Sequence, residues 1–203
     1  LCNGDATGSA TVNPGGGISP YSYLWSDGQT TQTATGLLAG TYTCDITDFN
    51  GCVYINNIII DEPSAISVSE IITNVSCFGG SDGSTIVSAS GGTGLVYTYN
   101  WFGMNNMALP VGIHSYTVTD NNGCVYTGNV SISEPSSALS SSISSINVTG
   151  CSGSANGSAT VSASGGTSPY SYLWSDGQTT QTATGLSAGT YTCQITDFNG
   201  CVS

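Results

Sequence analysis

The chemistry of this chain is concentrated in its eight cysteines. The rest of the composition is acidic, with no Lys or Arg, 12 Asp plus Glu, and a formal net charge of −12. Many thiols in a chain of this kind indicate an oxidising compartment in which disulfides form. The cysteines fall into three sets that keep the same order: Cys2, Cys44 and Cys52; Cys77 and Cys124; Cys151, Cys193 and Cys201.

The middle set predicts how the thiols pair, because it contains only two of them. If these two form a disulfide, the first and last cysteines of the outer sets are expected to do the same. Each bond would close a loop of about 50 residues and stabilise its repeat by ~4 kcal/mol in the chain-entropy model. The predicted disulfides are Cys2–Cys52, Cys77–Cys124 and Cys151–Cys201.

Two cysteines, Cys44 and Cys193, are left over, and the middle set has Tyr116 at the equivalent position. Both lie on the face of a predicted strand that we expect to be buried. The first interpretation is a buried thiol that packs as a small hydrophobe. A disulfide to another chain and a different pairing within the repeat are alternatives. A zinc site is disfavoured, because no close pair of Cys or His residues supports one.

Acidic residues recur at two turns: Asp48, Asp120 and Asp197 at one, Asp27 and Asp176 at the other. Calcium needs six or more oxygen ligands, and neither turn has the dense Asp/Asn spacing of a dedicated calcium loop. Aspartate in such turns commonly caps its own backbone. We therefore expect no cofactor, with structural calcium between repeats, near Asp61–Glu62 or Glu134, as the alternative.

Catalysis finds little support in the residues. The single histidine, His114, stands where the outer sets have Tyr42 and Tyr191, which indicates a packing residue. A nucleophile needs a base and a group that stabilises negative charge, and the usual cationic side chains are missing. Paired carboxylates can hydrolyse glycosides, but such chemistry seldom comes in tandem copies. The chain is predicted not to be an enzyme.

The cysteine sets belong to a tandem repeat. Residues 1–54 match residues 150–203 at 43 of 54 positions, and a weaker copy lies between them. The repeat is about 75 residues long, the size of a small domain. The predicted domains are residues 1–63, which lack a leading strand, residues 64–136, which are complete, and residues 137–203, which lack a closing strand. A window cut from a longer array, or a strand donated by another copy, would explain both ends.

Each repeat consists of short runs rich in Thr, Tyr, Val and Ile that alternate with period two and are separated by Gly and Asn turns. This pattern predicts an all-β chain of antiparallel, immunoglobulin-like β-sandwich repeats arranged end to end. A Tyr-x-Tyr-x-Trp stripe is expected to face the core, with its Trp against the disulfide. An outward-facing stripe, on which sugars could stack, is the alternative. The predicted core tryptophans are Trp25, Trp101 and Trp174.

The charge also limits the partners. A chain without cations repels a phosphate backbone, which argues against nucleic acid and anionic membranes. No apolar run approaches the ~20 residues of a membrane span, so membrane insertion is not expected. The expected location is extracellular.

The ordered motifs of the outer repeats are Gly-Ser-Ala-Thr-Val, Gly-Gly-x-Ser-Pro-Tyr-x-Tyr-x-Trp-Ser-Asp-Gly, Thr-Gly-Leu-x-Ala-Gly-Thr-Tyr-Thr and Thr-Asp-x-Asn-Gly-Cys. This series resembles the SprB repeat of Bacteroidetes surface proteins. The middle repeat departs from it between Trp101 and His114. The resemblance implies large cell-surface adhesins that carry many such repeats, including adhesins of gliding motility exported by the type IX route. It transfers no binding residue.

Two functions fit these features of the sequence. In the first, the repeats form a stalk or filament that holds an adhesive tip away from the cell, with other copies or flanking repeats as partners. In the second, each repeat binds a surface polysaccharide or another polymer weakly, and tandem copies multiply the avidity.

Overall fold

The computed structural model describes residues 2–203, and all of its regular elements are β-strands. The first repeat contains β1 (Gly8–Thr11), β2 (Ser22–Trp25), β3 (Thr33–Leu37), β4 (Gly40–Thr47) and β5 (Val53–Ile60). The second contains β6 (Ser67–Thr73), β7 (Ser84–Ser90), β8 (Thr98–Asn100), β9 (Gly112–Thr119) and β10 (Val125–Ile132). The third contains β11 (Ser140–Ile146), β12 (Gly157–Ser164), β13 (Ser171–Trp174), β14 (Thr182–Leu186) and β15 (Cys193–Thr196).

Each repeat divides its strands between two small antiparallel sheets. The sheets of the first repeat are β1-β3 and β2-β4-β5, and those of the second are β6-β7 and β10-β9-β8. The sheets of the third are β11-β12-β14 and β13-β15. The predicted all-β class of antiparallel sandwich repeats is confirmed.

Both sheets of the first repeat contribute to one core, because their strands alternate between inward and outward side chains. In β4 the inward side chains include Cys44 and Ile46, and in β2 Trp25 is only 1% exposed. The Trp25 indole donates from Nε1 to the Thr31 carbonyl oxygen at 2.8 Å, so its polar atom is satisfied. The buried members of this core are Ala10, Val12, Trp25, Ala34, Leu37, Cys44 and Ile46.

The third repeat reproduces this core. Trp174 is 2% exposed, and its Nε1 donates to the Thr180 carbonyl oxygen at 2.9 Å. Tyr170 and Tyr172 pack against the same cluster, while Leu173, between Tyr172 and Trp174, is exposed. The aromatic stripe therefore faces inward in this repeat.

The middle repeat fills its core differently. Tyr116 is fully buried, its ring lies 4.8 Å from that of half-buried Trp101, and its hydroxyl donates to Glu70. Gly128 provides the space, since a Cβ atom there would lie 2.4 Å from the Tyr116 ring. The first repeat has Cys44 opposite Asn56 at the corresponding positions. Where the first repeat sets a small Cys opposite a larger Asn, the middle repeat sets a large Tyr against a Gly.

We expect Gly128→Ala to destabilise the chain by about 1–3 kcal/mol, because the added methyl overpacks a ring that cannot move away. Gly15→Ala is the matched control, since a Cβ there would have no atom within 4 Å and the backbone φ is not positive. Urea unfolding measures both variants. Equal midpoints for the two would contradict the steric argument.

The described residues cluster into two compact units. The first comprises Leu1–Ser69, Ser88–Asn100 and Thr117–Thr127, and the second comprises Glu70–Val87, Trp101–Tyr116 and Gly128–Ser203. The middle repeat contributes segments to both, so this division does not follow the repeat boundaries.

Candidate functional site: the inter-repeat junctions

Every repeat has a turn that carries its first cysteine, and in the second and third repeats this turn follows β6 and β11. These opening turns are residues 2–5, 77–80 and 151–154. In each, the amide of the fourth residue donates to the carbonyl oxygen of the cysteine, at 3.1, 2.9 and 3.1 Å. The third residue is Gly4, Gly79 or Gly153, and all three have positive φ, which any side chain would strain. The same turn is therefore encoded three times.

A second turn carries the last cysteine of each repeat. These closing turns are residues 48–52, 120–124 and 197–201, and in each the Asp amide donates to the Cys carbonyl oxygen at 3.0 Å. The Asp Oδ1 atom accepts from the Asn amide and the Cys amide at 2.9 Å in all three turns. The recurring aspartates thus cap the turn and hold the cysteine in a fixed position.

Disulfides join opening turns to closing turns of the following repeat. Cys2 bonds to Cys124 and Cys77 bonds to Cys201, with Cα atoms 5.5 and 5.7 Å apart. The predicted pairing within each repeat is therefore wrong. Cys52 and Cys151, which that scheme placed in disulfides, are free and exposed.

The reason lies in the length of β4. Cys2 lies beside Gly8 and Ile60, where β4 begins, whereas Cys52 follows the other end of β4. A strand of eight residues separates the two turns by about 26 Å, but a disulfide requires Cα atoms within about 7 Å. An opening cysteine is therefore too far from the closing cysteine of its own repeat and can bond only to one in another repeat.

Linker residues complete the first junction. The Gly4 amide donates to Glu62 Oε2 at 2.6 Å, and Asn3 Nδ2 donates to the Pro63 carbonyl oxygen at 3.0 Å. On the other side, the amide of Gly92 in the second repeat donates to the Ser64 carbonyl oxygen at 2.9 Å. The linker therefore contacts both repeats that it joins.

The second junction repeats this arrangement. The Gly79 amide donates to Glu134 Oε2 at 2.5 Å, and the Gly166 amide donates to the Ser137 carbonyl oxygen at 2.9 Å. Asn199 Nδ2 adds a bond to the Ser76 carbonyl oxygen at 2.9 Å. Glu62 and Glu134, the carboxylates singled out for calcium, accept backbone amides here. Within residues 2–203 no group of three or more His, Cys, Asp or Glu side chains is placed to hold a metal ion.

The electrostatics of the closing turns follow from these hydrogen bonds. Burial by itself raises the pKa of Asp120, but donors on Thr93, Cys124 and Asn122 outweigh it and hold the pKa below its ordinary value. The pKa of Asp197 is lowered by the same balance. The pKa of Asp48 is lowered chiefly by the Cys52 amide. All three turns accordingly favour the ionised carboxylate.

Because these pKa values are depressed in the folded state, stability should be full above the unfolded Asp pKa of about 3.9 and should fall as the pH drops through the lower folded values. Urea midpoints measured from pH 7 to pH 2 should therefore be nearly flat at first and decline below about pH 4. Asp120→Asn should lower the midpoint at neutral pH and make the acid decline shallower. An unchanged acid decline in that variant would show that Asp120 does not contribute to it.

The leftover thiols lie in the sandwich cores. Cys44 is buried and free, and Cys193 is half-buried and free. Burial raises the pKa of both thiols, which lowers their thiolate fraction and their reactivity. Trp25 lies directly opposite Cys44 and Trp174 opposite Cys193. The tryptophans therefore neighbour a free thiol and not the disulfide expected beside them.

His114 takes the place of a tyrosine. It is 6% exposed, and its Nε2 atom lies 2.8 Å from the Pro110 carbonyl oxygen. The hydroxyls of Tyr42 and Tyr191 contact the carbonyl four residues earlier in the same way, at 3.2 and 3.3 Å. All three side chains contact the carbonyl oxygen at the same position of their repeat.

Sequence reasoning missed the capping role of Glu62 and Glu134. A signal for it exists, because each linker contains a Glu-Pro-Ser segment a fixed distance after the closing turn. The recurrence indicates a contact made at both junctions, and the opening turn, whose glycine amide donates to the glutamate, is the partner.

The fold and its junctions define a class of protein: tandem β-sandwich repeats in which each repeat is cross-linked to the next. The family model of the SprB repeat matches residues 1–30, 69–106 and 145–179, just over half of the chain. The chain belongs to the SprB repeat family. Repeats of this family occur in surface-exposed proteins, which the two disulfides fit. No curated protein matches the chain. Residues 2–203 contain no helix suited to crossing a bilayer.

Proposed function

We propose that this chain is a structural segment of a long extracellular fibre or adhesin, in which the repeats follow one another end to end and serve adhesion or gliding. The observation that carries the proposal is the recurrence of one junction. The bonds Cys2–Cys124 and Cys77–Cys201 use the same two turns and are each accompanied by a linker glutamate. A head-to-tail contact that repeats without closing on itself builds a filament.

The same residues support a role without catalysis or a cofactor. The recurring aspartates cap turns, His114 bonds a backbone carbonyl, and Cys44 packs in a core. Each of these groups is engaged in holding the repeat or its junction. We therefore propose other copies or flanking repeats as the partners, and the cell surface as the location.

Sugar binding through the aromatic stripe is less favoured. Stacking on a sugar requires an exposed ring face, whereas Trp25 and Trp174 are almost completely buried. The structural role needs no such face, and it uses features that occur in every repeat.

Electron microscopy of native surface material tests the proposal. We expect thin unbranched filaments with an axial period of one repeat, about 25–35 Å for strands of this length. Compact particles without a period would overturn the fibre. Retention of the oxidised chain on a matrix of surface polysaccharide, lost when exposed tyrosines are replaced, would favour the binding module instead.

A further inference from the structure

Cys52 has the geometry of a junction cysteine without its partner. Its amide donates to Asp48 Oδ1 at 2.9 Å, as the amides of Cys124 and Cys201 do in their own turns. Both of those counterparts are in disulfides, but Cys52 is free and exposed. The turn around Cys52 is thus built like two turns that hold an opening cysteine.

The space beside Cys52 differs from the space beside Cys124. A cleft of about 430 Å³ adjoins Cys52, lined among others by Gly17, Tyr21 and Tyr54. At Cys124 the corresponding Gly92 and Tyr126, together with Val125, line a cleft of about 220 Å³, and the rest of its wall is formed by the opening turn of the first repeat and the linker that joins the two repeats. These wall residues are Cys2, Asn3 and residues 63–66. The wider cleft at Cys52 lies at the equivalent place, and no opening turn or linker of the described chain lines it.

Cys151 is the complementary end. It is free and exposed, and it lies in an opening turn with the same hydrogen bond and the same positive-φ glycine as the turns of Cys2 and Cys77. Those two cysteines are bonded to the closing turn of another repeat. The geometry of Cys151 therefore suits a closing turn such as the one that carries Cys52.

We propose that the cleft beside Cys52 binds the opening turn of another SprB repeat and that Cys52 then forms a disulfide with the cysteine of that turn. Cys151 makes the reciprocal bond with the closing cysteine of another repeat. Two S–H bonds break and one S–S bond forms. The two protons and two electrons pass to a disulfide oxidant, such as oxidised glutathione, which is reduced to two thiols. This inference stands on the turn geometry and does not depend on an adhesive role.

A second copy of this chain supplies the partner for the test. Purified protein in a glutathione redox buffer should form a ladder of dimers, trimers and larger species on a non-reducing gel, because Cys151 of one copy reaches Cys52 of the next. Cys52→Ser alone and Cys151→Ser alone should both remain monomeric. A mixture of the two variants should give dimers and nothing larger, since only one compatible pair of thiols is left.

Cys193→Ala is the matched control, since it removes a free thiol outside the proposed junction, and its ladder should equal that of the unaltered chain. Peptide mapping verifies that every variant keeps Cys2–Cys124 and Cys77–Cys201, so that misfolding is recognised. A ladder that persists in Cys52→Ser, homodimers of Cys52→Ser through Cys151, or no ladder in the unaltered chain would each overturn the proposal.

Mass spectrometry of native material tells the two sources of the partner apart. A Cys151 peptide linked to residues around Cys52 identifies a second copy. A link to a closing turn outside residues 1–203 identifies a different repeat. Both results support the junction, whereas a free Cys151 thiol in native material would contradict it.

Discussion

Stretching the oxidised chain between its two ends should release only a fraction of the length that the reduced chain releases. With both disulfides intact, the shortest covalent path from Cys2 to Cys201 passes through Cys124 and Cys77. That path contains about 50 extensible residues and reaches about 170 Å at full extension. The reduced path contains about 200 residues and reaches about 700 Å. Tension therefore passes through the two disulfides and the backbone of the middle repeat between Cys77 and Cys124.

Single-molecule force spectroscopy, with handles at the two termini and with or without a reductant, measures this difference. Cys2→Ser should give an intermediate length of about 260 Å, because about 75 residues then precede the remaining bond. Cys52→Ser should leave the released length unchanged, since Cys52 belongs to neither disulfide. Release of the full reduced length by the oxidised chain would refute the junctions.

The effect bears directly on the proposed fibre. A surface filament is pulled along its length, and β-sandwiches joined only by backbone would lengthen severalfold as they unfold. A path that passes from repeat to repeat through disulfides limits this extension. The sequence spans of the two disulfides overlap in the middle repeat, so this repeat lies on the covalent path from one disulfide to the other.

Removing one junction should cost the chain a large part of its stability. Each disulfide spans more than 120 residues, and closing a loop of that length is worth about 5 kcal/mol in the chain-entropy model. The Cys2→Ser/Cys124→Ser double variant should therefore unfold at a much lower urea concentration than the unaltered chain. Tryptophan fluorescence reports the transition, because Trp25 is buried in the folded state.

Cys52→Ser is again the control, and we expect it to change stability by less than about 0.5 kcal/mol, as exposed substitutions usually do. If Cys52→Ser were as unstable as the double variant, Cys52 would have to form a disulfide within its own repeat, as predicted from the sequence. A double variant with an unchanged midpoint would mean that the junction adds nothing to stability.

The local structure was predictable because it follows from local patterns. Runs such as Thr41–Thr47 alternate with period two and form strands, and glycines such as Gly51 stand where the turn needs positive φ. Near-identity of the outer repeats revealed the tandem organisation. The aspartate of each closing turn was correctly assigned as a backbone cap, since its partners are residues two and four positions further along the chain.

The pairing of the cysteines was not predictable in this way. In a tandem repeat with one opening and one closing cysteine per unit, bonds within a repeat and bonds to the next repeat fit the sequence equally well. The choice depends on the distance between the two turns of one repeat, about 26 Å along β4. Such a distance exists only once the strands are folded. The same holds for Tyr116 and Gly128, whose fit depends on a ring and a backbone that meet across the interior of the middle repeat.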